Sequence, residues 1–281
     1  MYSLIEFVQR IDVAPYAVPS MKLDVPSVLA ISWGKGDPLK DAIHLVFLDE
    51  AGRMREYTKI DNLQDSEMVE EFTDTLKKRK PDVIVLGGLS ISTLKLTRRV
   101  KEILKGGDIM VRGPAINGQA FDIPIIYVFD DVARIYQHSS RAADEFSALS
   151  TTAKYCVGLA RYTQSPLNEF AALGSDISAI TLEEEDQHLA SIRQHSDLFI
   201  SFLTVFQVPR EKLFTSFERV LVDITNKVGV DINRAVADSY YQNLLPFVCG
   251  LGPRKAQILI KKIGGMVSQH FRVFCQTLKT I

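Results

Sequence analysis

The stretch with the clearest chemical potential is Leu244–Ala256, in which two glycines flank a leucine and a proline follows them. Gly250 and Gly252 suit a tight turn, where positive φ or close backbone approach excludes a Cβ. Pro253 fits the first position of a helix, because its φ is already set and that position needs no N–H donor. The pattern predicts a helix-hairpin-helix motif: an apolar helix ends, a glycine turn follows, and a second helix begins.

This motif predicts an anion site. The free N–H groups at the start of the second helix point outward with the positive end of the helix dipole behind them, which suits a phosphate. The predicted nucleic-acid-binding residues are Gly250, Leu251, Gly252, Arg254 and Lys255. The alternative is a glycine-rich turn that only joins two packed helices.

The charge of the chain requires such a site to be local, because the formal net charge is only -1. Residues 253–265 contain four cations and no acid: Arg254, Lys255, Lys261 and Lys262. They lie off the apolar stripe expected for that helix, so they form a basic patch. The run Lys77–Lys80 is first interpreted as a solvated helix end that complements the helix dipole, and only second as a nucleic-acid patch.

Composition excludes several other classes. The chain has 281 residues, of which 46% are hydrophobic and 24% charged, as expected for a globular protein with two domains. Cys156, Cys249 and Cys275 form no CxxC pair, which argues against a disulfide framework or zinc site and for a reducing compartment. His188 and His195 lie near an acidic run but match no ligand spacing. We therefore expect no metal, no cofactor, no signal peptide and no membrane span.

The order of apolar segments predicts the fold of the first half. Three strands that can pair as a meander are followed by helix, strand, helix, strand and helix, an order typical of ribonuclease-H-like folds with a mixed sheet covered on both faces. Ser66 is the expected cap of the first helix, and Gly87-Gly88 is interpreted as a strand-to-helix turn. The expected strands and helices are 28–33, 42–48, 53–58, 66–80, 83–86, 92–105, 125–128 and a helix from 132.

Strand signals stop near residue 150. We expect an arm over 1–22, an α/β ribonuclease-H-like domain over 23–150, and an all-α domain with the helix-hairpin-helix motif over 151–281. The helical part carries one long apolar stripe, interpreted as core: Leu213, Phe214, Phe217, Val220, Leu221, Ile224 and Val228. Gly229 should end that helix, Asp238 should cap the first hairpin helix, and Gly264-Gly265 should stop the second. Residues 266–281 are either a frayed tail or the edge of something longer.

Ribonuclease-H-type nucleases bind two divalent metals through carboxylates on the first strand, near the end of the fourth strand, and on the helix after the fifth. This sequence has no acid at those positions, which carry Ser32, then Gly87, Gly88 and Ser90, and then the helix Thr151–Arg161. Asp130 and Asp131 close the fifth strand, where helix capping explains them. We therefore expect no catalytic residue and no metal site.

Several runs resemble one family. Asn226–Ala235 and Tyr240–Ala256 resemble the core of the eukaryotic suppressor-of-Ty 6 family, which is related to the bacterial Tex proteins. Leu159–Tyr162 with Ser165–Leu167, and Leu29–Gly34, resemble the YqgF-type ribonuclease-H-like region of the same family and the segment after it. The resemblance covers roughly residues 11 to 265.

The resemblance implies a transcription elongation factor and histone chaperone: a nuclear scaffold that travels with RNA polymerase II and helps to reassemble nucleosomes. Its expected partners are a DNA or RNA backbone, the RNA polymerase II elongation complex and histones, with no membrane. It also implies an inactive YqgF-like domain. Family members are much longer, so the chain is expected to be a fragment.

Two alternatives remain beside a non-enzymatic scaffold. The first is a structure-specific nuclease or resolvase with a ribonuclease-H-like metal site, in which the hairpin grips the substrate. The second is a protein-interaction module in which the hairpin only packs against neighbouring helices.

Overall fold

The computed structural model describes residues 25–34, 36–37, 41–88, 90–105, 121–174, 176, 210–237 and 240–266. The chain divides into two compact units, one of Ala14–Glu169 and one of Met1–Val13 with Phe170–Ile281. The expected arm, the expected Asp238 cap and residues 267–281 lie outside the described residues. None of the described helices is long and apolar enough to cross a membrane.

A mixed five-stranded sheet organises the first unit. Its strands are β1 (Val28–Ser32), β2 (Ile43–Leu48), β3 (Met54–Ile60), β4 (Val83–Gly87) and β5 (Ile125–Val128). The spatial order is β3-β2-β1-β4-β5; β1, β2 and β3 pair antiparallel, whereas β4 is parallel to both β1 and β5. The predicted meander, the mixed sheet and the ribonuclease-H-like order are confirmed.

The two faces of the sheet carry separate cores, because successive side chains of a strand point to opposite sides. In β1, Leu29 and Ile31 belong to one core cluster, whereas Val28 and Ala30 belong to the other. The side chains of β2 and β4, the two strands that flank β1, alternate between the two clusters in the same way. The first face is covered by α1 (Ser66–Arg79) and α2 (Ile91–Leu104), and the second by α3 (Asp131–Tyr136), α4 (Ser140–Glu145) and α5 (Thr151–Gln164).

The boundary between the units differs from the expected one at residue 150. Helix α5 contributes Cys156, Val157 and Leu159 to the second core of the sheet, so it belongs to the α/β unit. That unit ends at Glu169, within α6 (Pro166–Leu173). The sequence marked 151 as a boundary because strand patterns stop there, although the last layer of the α/β unit is a helix.

The second unit is helical, with α7 (Arg210–Val228), α8 (Ile232–Ala237), a 3₁₀ helix (Tyr241–Phe247) and α9 (Gly252–Met266) among the described residues. Phe217, Leu221 and Ile224 of the predicted stripe are buried, but Val228 at the end of α7 is 53% exposed. Gly229 ends α7 as predicted, with φ of +86° and its N–H donating to the Thr225 carbonyl over 2.8 Å. The 3₁₀ helix packs against α7, α8 and α9.

Three local expectations need correction. The first hairpin helix is a 3₁₀ helix, Tyr241–Phe247, with Pro246 inside it. Helix α9 continues through Gly264-Gly265 to Met266. The cap of α1 is Asp65, which has extended φ and ψ and accepts a hydrogen bond from the Glu67 N–H; Ser66 is already helical.

The end of α1 carries a strained residue. Lys80 has φ of 49° and ψ of 59°, and its N–H donates to the Leu76 carbonyl over 2.9 Å. This left-handed cap is the conformation that glycine usually adopts, because a Cβ there crowds the backbone. Among the described residues, Lys80 is the only one other than glycine with positive φ.

We predict that Lys80→Gly raises the free energy of unfolding of the α/β unit by about 0.5–1 kcal/mol, because removal of the Cβ relieves the left-handed strain. The matched change Lys77→Gly, within the last turn of the same helix, should instead destabilise by about 1 kcal/mol. Urea unfolding followed by the fluorescence of Trp33, the single tryptophan of the chain, reports on this unit. Equal destabilisation by both variants would contradict the strain at Lys80.

Candidate nucleic-acid interface

The hairpin turn joins the 3₁₀ helix to α9 through two short hydrogen-bonded turns. The N–H of Val248 donates to the Leu245 carbonyl over 3.2 Å, and the N–H of Leu251 donates to the Val248 carbonyl over 3.0 Å. Gly250 has φ of +81° and Gly252 has φ of +62°. A Cβ built on either glycine has no neighbour within 4 Å. The glycines therefore serve backbone conformation and not close packing, which confirms the first of the two reasons that the sequence offered.

The start of α9 is open to solvent. Pro253, Arg254 and Lys255 are exposed, and Leu251 and Gly252 are partly exposed. The first N–H groups of any α-helix have no partner within the helix, and the dipole makes this end attractive to anions. The structure thus brings the five predicted binding residues together on one accessible turn.

Lys255 has a contact that the sequence did not suggest. Its Nζ donates to the Gly250 carbonyl over 3.2 Å, so the side chain folds back over the turn. Arg254 forms no salt bridge with any residue that the structure describes. Arg254 is therefore free to contact a ligand, while Lys255 stabilises the loop with one of its three N–H donors and can offer the others to the same ligand.

The sequence analysis missed the residue that holds the turn in place. Asn226, near the end of α7, accepts a hydrogen bond from the Cys249 N–H at 2.9 Å through Oδ1. Its Nδ2 donates to the Phe247 carbonyl at 3.1 Å and to the Val222 carbonyl at 2.6 Å. One amide side chain thus binds both a donor and an acceptor of the hairpin backbone. Asparagine suits this role because it offers both functions, but no spacing rule connects positions 226 and 249.

The remaining cations of α9 extend the charged surface. Lys261 and Lys262 are exposed, two turns beyond Arg254 and Lys255. Ala256 is buried, and Leu259 and Ile260 are partly buried. The cations therefore lie on the solvent side of α9, as predicted, and leave the apolar side to the rest of the unit.

The position that holds metals in ribonuclease-H-type enzymes is the second candidate site. It lies at the carboxyl ends of β1, β4 and β5, where Ser32, Gly87 and Asp130 stand. The Ser32 hydroxyl accepts a hydrogen bond from the Gly34 N–H over 3.3 Å. A Cβ on Gly87 would lie 2.2 Å from the Tyr155 hydroxyl and within 3 Å of Leu159. A side chain at position 87 would therefore require the Tyr155 and Leu159 side chains of α5 to move.

Asp130 is engaged in a compact polar network. One oxygen, Oδ2, accepts from the Tyr155 hydroxyl over 2.8 Å and from Arg134 Nε over 2.8 Å. Burial raises the pKa of Tyr155 far above its usual range and the Asp130 charge adds to this effect, so the phenol stays protonated as a donor. Burial opposes the charge on Arg134, but Asp130, with smaller contributions from Tyr155 and Asp131, outweighs burial and raises the guanidinium pKa. The Asp130 carboxylate is thus held by a cation and a phenol.

A metal site would need several such groups in reach of each other. Among the described residues, no three histidines, cysteines, aspartates or glutamates lie close enough to hold a metal ion. Asp131 begins α3 and is partly buried. The geometry of the described edge therefore supports packing and charge pairing around Asp130.

Comparison with known families matches both parts of the chain. Residues 22–174 match the family described as the YqgF, Holliday-junction-resolvase-like region of SPT6. The chain belongs to this family. Residues 197–270 match the helix-hairpin-helix motif. The family match extends to residue 174 and therefore includes α5, as does the compact α/β unit.

Several curated relatives carry the same name. The chain is 39% identical over 267 residues to "Transcription elongation factor SPT6" of Mycosarcoma maydis, with 85% of this chain and 14% of that protein covered. It is 38% identical over 267 residues to the Schizosaccharomyces pombe factor, with 93% and 17% covered. It is 34% identical over 256 residues to the Saccharomyces cerevisiae factor, with 89% and 16% covered. The chain therefore spans less than a fifth of the length of these SPT6 relatives.

We predict that Asn226→Ala loosens the hairpin turn of this SPT6-family chain. Loss of the side-chain acceptor should reduce the protection of the Cys249 amide against hydrogen exchange and destabilise the helical unit by about 1 kcal/mol. Asn226→Asp keeps the acceptor but loses both donations, so it should retain more of the Cys249 protection. Lys227→Ala, one residue along the same helix, is the control. Unchanged exchange at Cys249 in Asn226→Ala would show that the turn does not depend on this side chain.

Proposed function

We propose that the chain is a non-enzymatic, nucleic-acid-binding part of a nuclear transcription elongation factor. It contacts the sugar-phosphate backbone through the turn Gly250–Gly252 and the start of α9. The observation that carries the proposal is the exposed turn with two positive-φ glycines, which opens α9 beside Arg254. The match of this part of the chain to the helix-hairpin-helix motif supports the same role.

The contact follows from the local electrostatics. Backbone N–H groups in the first turn of α9 donate to phosphate oxygens, and the helix dipole favours the negative charge. Arg254 adds a planar guanidinium that matches phosphate in geometry as well as in charge. These groups recognise the backbone and not the bases, so binding is weak and largely independent of sequence.

The wider role rests on the relatives. Their name, transcription elongation factor, supports a place in elongation for the whole protein to which such a chain corresponds. Contacts with the RNA polymerase II elongation complex and with histones, and a part in nucleosome reassembly, belong to the same proposal. In this role the α/β unit and the hairpin act as a scaffold that holds nucleic acid near those partners.

The α/β unit is proposed to have no hydrolytic activity. Metal-dependent hydrolysis needs carboxylates that are free to bind divalent ions. Ser32 and Gly87 supply none, and Asp130 is held by Arg134 and Tyr155. These contacts support a structural role for the edge of the sheet.

We predict that the purified chain does not cleave branched, single-stranded or RNA–DNA hybrid substrates with Mg²⁺ or Mn²⁺, because the described residues offer no carboxylate set that could hold a metal and activate water. Cleavage products are detected by denaturing gel electrophoresis, and the assay is repeated after each purification step. Cleavage that persists through purification and disappears in the Asp130→Asn, Asp131→Asn double variant would establish a nuclease and contradict the proposal.

We predict that Arg254→Glu with Lys255→Glu lowers the affinity for a short DNA duplex by at least about tenfold, because two phosphate contacts are lost. The slope of log affinity against log salt should fall by about 2. Fluorescence anisotropy over a series of salt concentrations measures both quantities. The same titration with RNA and with single-stranded DNA compares the possible ligands.

The matched control is Lys95→Glu with Arg98→Glu, a lysine and an arginine exposed on α2. This pair should leave the affinity close to that of the unchanged protein. Equal losses in both double variants, or no loss in either, would mean that the hairpin is not the phosphate site. In that case the turn serves helix packing or a protein partner.

A further inference from the structure

A charged cleft lies at the opposite end of the sheet from Asp130. It has a volume of ≈ 560 Å³ and opens where Ser27 precedes β1, where Asp82 precedes β4, and where the β2–β3 turn meets the end of α1. Cations dominate its lining: Arg53, Arg55, Lys78, Arg79 and Lys80. The carboxylates in the lining are fewer: Asp49, Glu50 and Asp82. The proposed nucleic-acid contact uses none of these residues.

Asp49 fixes two of the guanidinium groups. Its Oδ2 accepts from Arg55 Nε over 2.7 Å and from Arg53 Nε over 3.2 Å, while Oδ1 accepts from the Ala51 and Arg53 N–H groups. Burial opposes its charge, but these hydrogen bonds and the two arginines together lower the pKa of Asp49, so it is ionised. Both arginines use Nε on this carboxylate. Their terminal amino groups have no acceptor among the residues that the structure describes.

Glu56 fixes the other side of the cleft in the same way. It accepts from Lys78 Nζ over 2.8 Å and from Arg79 Nε, while Arg79 Nη2 donates to the Arg55 carbonyl over 3.3 Å. The Arg79 guanidinium also lies 5.8 Å from the centre of the Phe47 ring. Two carboxylates therefore orient four cations, which reduces the conformational entropy that a ligand would otherwise have to remove.

Lys80 adds a fifth cation in an unfavourable backbone conformation. Glycine would suit its left-handed φ of 49° better, yet a lysine occupies the position and lines the cleft. Strained residues gather at functional sites more than elsewhere. Capping the helix does not require a lysine at this position, whereas the amino group of Lys80 adds a positive charge to the cleft.

The chemistry of the lining favours a single, densely charged phosphate. Arginine forks held by carboxylates match phosphate oxygens through paired hydrogen bonds. A nucleic-acid strand would bring a series of phosphates past Glu50 and Asp82, which repel them. One phosphorylated side chain can reach the cations without passing both acids.

We propose that this cleft binds a phosphorylated peptide segment, whose phosphate is held by the terminal amino groups of Arg53 and Arg55 together with Lys80. Arg79 and Lys78, oriented by Glu56, support the charge from the other side. Arg-rich recognition of phosphate on a peptide is a general mode of protein binding.

The test uses the full chain and a library of short peptides, each with one central phosphoserine, next to the same library without phosphate. Binding is measured by fluorescence anisotropy, with inorganic phosphate as competitor. The phosphorylated library should bind at least about tenfold more tightly, and Arg53→Gln should remove about tenfold of that affinity, because one charge-assisted contact is lost. Lys80→Gly should also weaken binding, although it is expected to stabilise the fold. Lys77→Gln, exposed on α1 outside the cleft, is the control.

Three outcomes would overturn the proposal. Equal binding of the two libraries would exclude phosphate recognition. Unchanged affinity in both Arg53→Gln and Lys80→Gly would place the ligand elsewhere. The cleft would be a nucleic-acid site if a single-stranded oligonucleotide displaced the peptide with equal affinity and if Arg53→Gln and Lys80→Gly weakened oligonucleotide binding as well. The double variant Arg254→Glu with Lys255→Glu should leave peptide binding unchanged. The test of the cleft is therefore independent of the test of nucleic-acid binding at the hairpin.

Discussion

The helical unit depends on one backbone constraint: the chain enters α9 with positive φ at both Gly250 and Gly252. A left-handed turn of this kind leaves carbonyl and N–H groups that must find partners elsewhere. Asn226 satisfies the Phe247 carbonyl and the Cys249 N–H, and Lys255 satisfies the Gly250 carbonyl. With those groups satisfied by side chains, the first N–H groups of α9 remain directed to solvent. The proposed phosphate contact is therefore a consequence of how the turn is held.

The α/β unit uses glycine for a different purpose. At Gly87 the absence of a Cβ lets the Tyr155 hydroxyl and Leu159 approach the end of β4. The same hydroxyl then reaches Asp130, which also binds Arg134. In ribonuclease-H-like folds this end of the sheet can gather metal-binding acids. Here the Tyr155 and Leu159 side chains cover Gly87, and Asp130 is paired with Arg134. The opposite end of the sheet is open. There Asp49 and Glu56 orient cations around a cleft.

The strands of the α/β unit and the position of the hairpin could be predicted from the sequence, because strong local signals agree with the fold. The apolar runs of β1 and β4 identify buried strands, and the Gly-Leu-Gly-Pro spacing identifies the hairpin. The missed features depend on contacts between distant residues. The hydrogen bond between Asn226 and Cys249, the covering of Gly87 by Tyr155, and the presence of Arg53 and Lys80 in one cleft follow no local periodicity. The unit boundary was misplaced for the same reason, since helix α5 belongs to the sheet only through packing.

The most direct test of the central claim is amide chemical-shift mapping by NMR as a short DNA duplex is added to the full chain. Phosphate contact at the start of α9 predicts the largest shifts at the amides of Leu251, Gly252, Arg254 and Lys255, with the amides of Gly87 and Gly88 unchanged. Shifts concentrated at the edge of the sheet around Gly87 and Asp130, with the hairpin amides unaffected, would contradict this account.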